Sequence, residues 1–126
     1  MNKFLSISEL SKMLKLVDTK NGKPQNHILR YWEKEFKQIN PKMINNRRYY
    51  SNDQIQIVKF VKFLLKDKGM TINGVKNVLK IKINKLDDYN LDSLKAEYYR
   101  DQIKKKTKKI LDKIKRIKYH GKKNSY

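Results

Sequence analysis

ILRYWEKEFKQINPKMINNRRYY, residues 28–50, sets an aromatic, arginine-bearing helix directly before a basic hairpin centred on a turn. Ile28, Leu29, Trp32 and Phe36 recur at helical spacing and form one inward face, which leaves Arg30, Tyr31 and Lys34 pointing elsewhere. Pro41 ends that helical segment. Pro41-Lys42-Met43-Ile44 and Arg47-Arg48-Tyr49-Tyr50 then flank Asn45-Asn46, a pair that tolerates positive φ and suits a two-residue hairpin turn.

Working outward, Ser6-Ile7-Ser8-Glu9 has the spacing of a capping box, and Ile7, Leu10, Met13 and Leu14 continue it at helical period. A first helix is expected over residues 7–15. Residues 18–24 are dense in turn formers and read as a loop longer than a tight helix-turn-helix needs. The second helix starts near Gln25 or Asn26, just after Pro24. Downstream, Ser51 to Gln54 form another capping box before an apolar run through Ile55, Val58, Val61, Phe63, Leu64 and Leu65. Gly69 provides the stop, and Thr71 caps a further helix carrying Ile72, Val75, Val78 and Leu79. The expected fold is mainly α, a winged helix-turn-helix with a C-terminal basic helix. Its expected division is 1–80 for the winged domain, 81–91 for a linker, 92–118 for the basic helix and 119–126 for a disordered tail.

A chain of 126 residues has room for one small core and an appendage. Its net charge is +20, from 32 Lys plus Arg against 12 Asp plus Glu, which favours polyanions through counterion release. Only five of the basic residues are Arg, at positions 30, 47, 48, 100 and 116. A Lys-rich composition also arises as a solvated surface without a binding role, so the clustered Arg carry more weight than any single Lys. The absence of cysteine excludes disulfides and thiolate metal sites, and His27 and His120 have no neighbouring ligand set, so no metal and no cofactor are expected. No apolar run has the length of a signal peptide or a membrane span, which suggests a cytoplasmic, nucleoid-associated protein without a membrane partner.

From Asp92 onward there are 13 basic and 4 acidic residues, a net +9. Ala96, Arg100, Ile103, Thr107, Ile110, Ile114 and Ile117 follow alternating steps of four and three, a weak heptad whose apolar seam is Ile103, Ile110, Ile114 and Ile117. Such a helix, about 27 residues at about 1.5 Å each, spans roughly 40 Å. It either pairs two subunits or lies along phosphates as a lone basic tail.

SISELSKML, ILRYWEKEF, RRYYS and KDKGMTINGVKNVL occur in an order that resembles the MerR-type winged helix-turn-helix over residues 4–79. The family's Leu-Arg-aromatic-aromatic-Glu signature is matched by Leu29-Arg30-Tyr31-Trp32-Glu33, its wing Arg and Tyr by Arg48 and Tyr50, and its Gly before an apolar helix by Gly69 and Ile72. The Trp in the signature and the Arg-Arg-Tyr-Tyr wing are similar to a small alphaproteobacterial-like subgroup. The resemblance implies a dimer on a pseudopalindrome, with a recognition helix in each major groove and wings on the flanking backbone. It also implies a transcriptional regulator with RNA polymerase as a partner at the promoter. Three departures stand out: the expanded loop at residues 20–25, Asn46 in place of Gly, and no Cys or sensor domain following.

The candidate DNA-binding residues are Gln25, Asn26, His27, Arg30, Tyr31, Lys34, Lys42, Arg47, Arg48 and Tyr50. Arg30 can reach phosphate or a guanine edge with two hydrogen bonds, or form an ion pair with Glu33 or Glu35. Asn26 suits adenine, or serves as an ordinary N-cap. One wing arginine, Arg48 rather than Arg47, is the candidate for a structural role. Trp32 belongs to the core. No catalytic constellation or phosphate-cradling Gly loop is present, so an enzyme is not expected. The rival reading is an architectural or excisionase-like accessory DNA-binding protein, which needs no effector.

Overall fold

A computed structural model describes residues 4–82 and 90–123, with side chains for 4–81 and 90–118. The chain divides into two compact units, 1–91 and 92–126. In the first, Leu5–Ser6 (β1) leads into Ile7–Met13 (α1), followed by Asn26–Glu35 (α2), Lys42–Ile44 (β2), Arg47–Tyr50 (β3), Asn52–Lys62 (α3) and Ile72–Lys82 (α4). The fold is mainly helical with a small sheet, as the sequence indicates.

Helix boundaries follow local chemistry. The Ser6 hydroxyl accepts from the Glu9 amide at 3.2 Å and donates to the Glu9 carboxylate at 3.0 Å, fixing the start of α1. Helix α1 ends earlier than expected, at Met13, because Lys15 turns into the left-handed region at φ 59°. There the Leu16 amide donates to the Ser11 carbonyl and the Lys15 amide to the Lys12 carbonyl, the double closure of a Schellman ending. Ser51 caps α3 by accepting from the Gln54 amide, and Thr71 caps α4 by accepting from the Gly74 amide at 3.1 Å. Helix α3 runs on into a π-helical turn, Phe63–Asp67, which Gly69 terminates at φ 63°.

The hairpin has the expected two-residue turn. Ile44 pairs with Arg47, and Asn45 and Asn46 both take positive φ, at 49° and 63°, as a type I′ turn requires. The sheet differs from the expected lone hairpin: Leu5–Ser6 pairs antiparallel with Tyr49 and Tyr50, giving strand order β1-β3-β2. A two-residue strand carries no periodicity of its own, so only its distant partner defines it.

Leu10, Leu29, Trp32, Phe36, Tyr50, Phe60, Val75 and Leu79 supply much of the buried core, drawn from α1 to α4 and from β3. Each fully buried aliphatic or aromatic side chain of this size contributes about 1.5–3 kcal/mol. Helix α4 reaches Lys82, so the expected domain end at residue 80 and linker start at 81 fall inside a helix. Residues 83–89, the rest of that linker, lie outside the described residues.

The second unit is built on the helix Leu91–Lys123 (α5), which starts one residue before the expected Asp92 and continues past the expected end at Lys118. Residues 119–123 are therefore helical rather than part of a tail, and residues 124–126 lie outside the described residues. Residues 103–118 are exposed throughout, including Ile103, Ile110, Leu111, Ile114 and Ile117.

Candidate nucleic-acid interface

Helix α2 separates its residues cleanly into two faces. Leu29 and Trp32 are buried, as is Phe36 at the C-cap, whereas His27, Arg30, Tyr31 and Lys34 are exposed. The exposed residues follow the spacing i, i+3, i+4 and i+7, so they form one continuous stripe. Gln25, half-buried, occupies the N-cap without a side-chain capping bond.

Both carboxylates of α2 are paired away from that stripe. The Arg48 Nε donates to the Glu33 carboxylate at 2.6 Å, and Lys76 of α4 lies 3.0 Å from the Glu35 carboxylate. Neither pair involves Arg30, so the salt-bridge alternative for Arg30 is not realised among the described residues. With its acids neutralised by other elements, the helix presents cations and an aromatic hydroxyl outward.

Strand alternation sorts the hairpin the same way. Successive residues of a strand face opposite sides, so Arg47 and Tyr49 share one face and Arg48 and Tyr50 the other. Cross-strand pairing places Lys42 beside Tyr49 and Ile44 beside Arg47, which completes an outer face with Lys42 and Arg47 exposed. On the inner face, Arg48 ties the hairpin to α2 through Glu33.

Three expected DNA contacts therefore require correction. Tyr50 is fully buried and cannot reach a ligand; it packs in the core at the base of the wing. Its hydroxyl lacks a hydrogen-bond partner among the described residues, and burial pushes its phenol up to about 12, with Glu33 adding to the rise. Arg48 is half-buried and engaged by Glu33, so it holds the wing in place. Asn26 is neither a free base reader nor the N-cap. Its amide oxygen accepts from the Ser11 hydroxyl at 2.9 Å and its amide nitrogen donates to the Ser8 hydroxyl at 3.0 Å. Ser11 is fully buried, so this pair of bonds locks α1 against the start of α2 and satisfies a polar group that burial would otherwise penalise.

Tyr49, half-buried on the outer face, joins the group although it is not among the candidates that the sequence offers. Period-two alternation through Arg47-Arg48-Tyr49-Tyr50 was the available signal: once Tyr50 is assigned to the core, Tyr49 must face outward. Gln25, His27, Arg30, Tyr31, Lys34, Lys42 and Arg47 keep accessible side chains.

Residues 5–82 match the family model described as MerR HTH family regulatory protein. The chain belongs to the MerR family. It is accordingly a DNA-binding transcription regulator of the helix-turn-helix kind. Neither the curated proteins nor the solved structures offer a match to this MerR chain. Among the described residues, no cluster of three or more His, Cys, Asp or Glu could hold a metal ion, and no described helix is long and apolar enough to cross a membrane.

Proposed function

We propose that this MerR protein binds a defined duplex DNA sequence as a dimer and regulates transcription from it without chemistry. The observation that carries the reading is the acid-free outer face of α2, where His27, Arg30, Tyr31 and Lys34 are exposed while Glu33 and Glu35 are bound to cations of other elements. Arg30 reads a base edge in the major groove, and Tyr31 and Lys34 contact phosphate. Lys42 and Arg47 of the wing add backbone contacts that raise affinity for every sequence alike.

Dimerisation rests on α5. Its heptad seam, through Ile103, Ile110, Ile114 and Ile117, supplies the apolar contact of a helix pair, with Arg100 and Thr107 opposing it. Lysines at 104–106 and 108–109 repel across such a pair, and DNA phosphates relieve that repulsion. The dimer is therefore weak in solution and tightens on a palindromic site. Sedimentation with and without DNA, on the wild type and an Ile110→Lys, Ile114→Lys double variant, tests this: equal monomeric behaviour and equal half-site affinity of the two proteins would reject it.

Regulation then comes from the protein's abundance or from a partner, RNA polymerase at the promoter among them, because the chain offers no thiol to an oxidant. Genome-wide occupancy tests the function as a whole. One or a few promoter-overlapping sites are expected. Wide binding with little sequence preference would instead support an architectural or excisionase-like role.

A further inference from the structure

The segment between α1 and α2 is a built element. Leu16 is buried, the Gln25 amide donates to the Leu16 carbonyl at 2.8 Å, and Val17 and Pro24 form an antiparallel bridge above it. Next along, the Asp18 amide donates to the Lys23 carbonyl, and the Gly22 amide returns to the Asp18 carbonyl, each at 2.9 Å. Two side chains finish the tip: the Asp18 carboxylate accepts from the Lys20 amide at 2.8 Å, and the Asn21 carbonyl oxygen accepts from the Lys23 amide at 2.9 Å. Gly22, at φ 67°, allows the reversal. The result is a small two-legged finger whose stem is anchored in the core and whose residues 19–23 are exposed.

Its position and charge give it a partner. The finger directly precedes Asn26–Glu35 (α2), and the N-terminal residues of a recognition helix are those that meet base edges, so cations on its tip are candidates for the phosphates bordering that groove. Lys12, Lys15, Lys20 and Lys23 are all exposed, and Asp18 alone opposes them between residues 10 and 25. A tight helix-turn-helix needs only a short turn of about three or four residues. A longer connection held rigid by its own hydrogen bonds pre-organises its cations, so little ordering entropy is lost on contact.

We propose that the finger at residues 18–23 is a second phosphate clamp, in which Lys20 and Lys23 grip the DNA backbone beside the groove that α2 enters. The proposal rests on the DNA-binding reading and extends its footprint beyond α2 and the wing. The clamp adds affinity that is independent of base sequence and strongly dependent on salt.

Full-length protein and a Lys20→Ala, Lys23→Ala double variant are titrated, across a salt series, with a duplex that the wild type selects from a random pool and with a scrambled duplex. The variant is expected to lose affinity by the same factor on both, and its slope of log affinity against log salt should be shallower by about two. Both substitutions are on exposed side chains, so folding is unaffected. Because the chain has no cysteine, Lys20→Cys also carries a single iron-chelate cleavage probe, expected to cut the backbone at one discrete place per half-site. Intact wild-type binding with an unchanged slope and no local cleavage overturns the clamp alone. Loss of transcription with an unchanged slope also overturns it, in favour of a protein contact. A wild type without salt-dependent duplex binding overturns the DNA-binding reading and the clamp together.

Discussion

The winged unit and helix α5 are both basic and both helical, yet they secure their helices by different means. In the first unit α1 to α4 all contribute side chains to a shared core, and α1, α3 and α4 start on capping side chains. In α5 the four isoleucines of the heptad seam are 43–69% exposed, and a run of lysines from 104 to 109 is broken only by Thr107. Isolated helices gain little from propensity alone, and like charges at neighbouring turns subtract from that. The contrast teaches that burial, rather than helical pattern, distinguishes the unit with a shared core from the exposed seam of α5.

The most severe way to break that contrast is to truncate one apolar residue in each region. Phe60→Ala should destabilise the first unit by about 3–5 kcal/mol in denaturant titration. Ile110→Ala should change stability by less than about 0.5 kcal/mol in dilute, DNA-free protein. A comparable cost at both positions would show that α5 already buries its seam.

Within the wing, Arg48→Ala should cost about 1–2 kcal/mol of stability, because it leaves Glu33 half-buried without its cation. Arg47→Ala, on the opposite face, should leave stability within about 0.5 kcal/mol and lower the salt slope of duplex binding by about one. Reversed behaviour of the two arginines would mean that the strand faces are assigned the wrong way round.

Tyr50→Phe removes a buried hydroxyl with no described partner and should raise stability by about 1 kcal/mol at neutral pH. The phenol is raised from 10.0 to about 12 in the folded state, so folding favours its protonated form. That contribution is complete below the unfolded value near 10 and is lost as pH rises from about 10 towards 12. The stability difference between Tyr50→Phe and wild type should therefore widen across that window; a flat difference would contradict the burial of the hydroxyl.

The smallest effect is at the end of α1, where Lys15 takes a left-handed conformation that favours glycine. Lys15→Gly should stabilise the chain by about 0.5–1 kcal/mol, net of the freedom glycine adds to the unfolded state. A destabilised variant, measured by thermal unfolding, would place the Lys15 side chain in a contact that outweighs its backbone strain.

Features set by neighbours along the chain were legible in the sequence. Ser6 with Glu9, Ser51 with Gln54, Asn45-Asn46, Gly69 and Thr71 all act through bonds or dihedrals spanning a few residues. Features that need a distant partner were not. Leu5–Ser6 becomes a strand only beside Tyr49 and Tyr50, and Asn26 is taken from the DNA face by Ser8 and Ser11. Arg48 and Tyr50 look like contacts by residue type, yet period-two alternation pairs them on one face, opposite Arg47. In sequence the finger is only a long loop, because its ladder of bonds joins residues whose types signal a turn.

Arg30 offers the most direct test of sequence-specific DNA binding through the outer face of α2. Fluorescence anisotropy of wild type and Arg30→Ala is measured at one fixed salt concentration, on the duplex that the wild type selects and on a scrambled duplex. If Arg30 reads a base, the variant loses about 1–3 kcal/mol on the selected duplex and much less on the scrambled one, so the preference between them narrows. Equal affinities of the two proteins for both duplexes would contradict it.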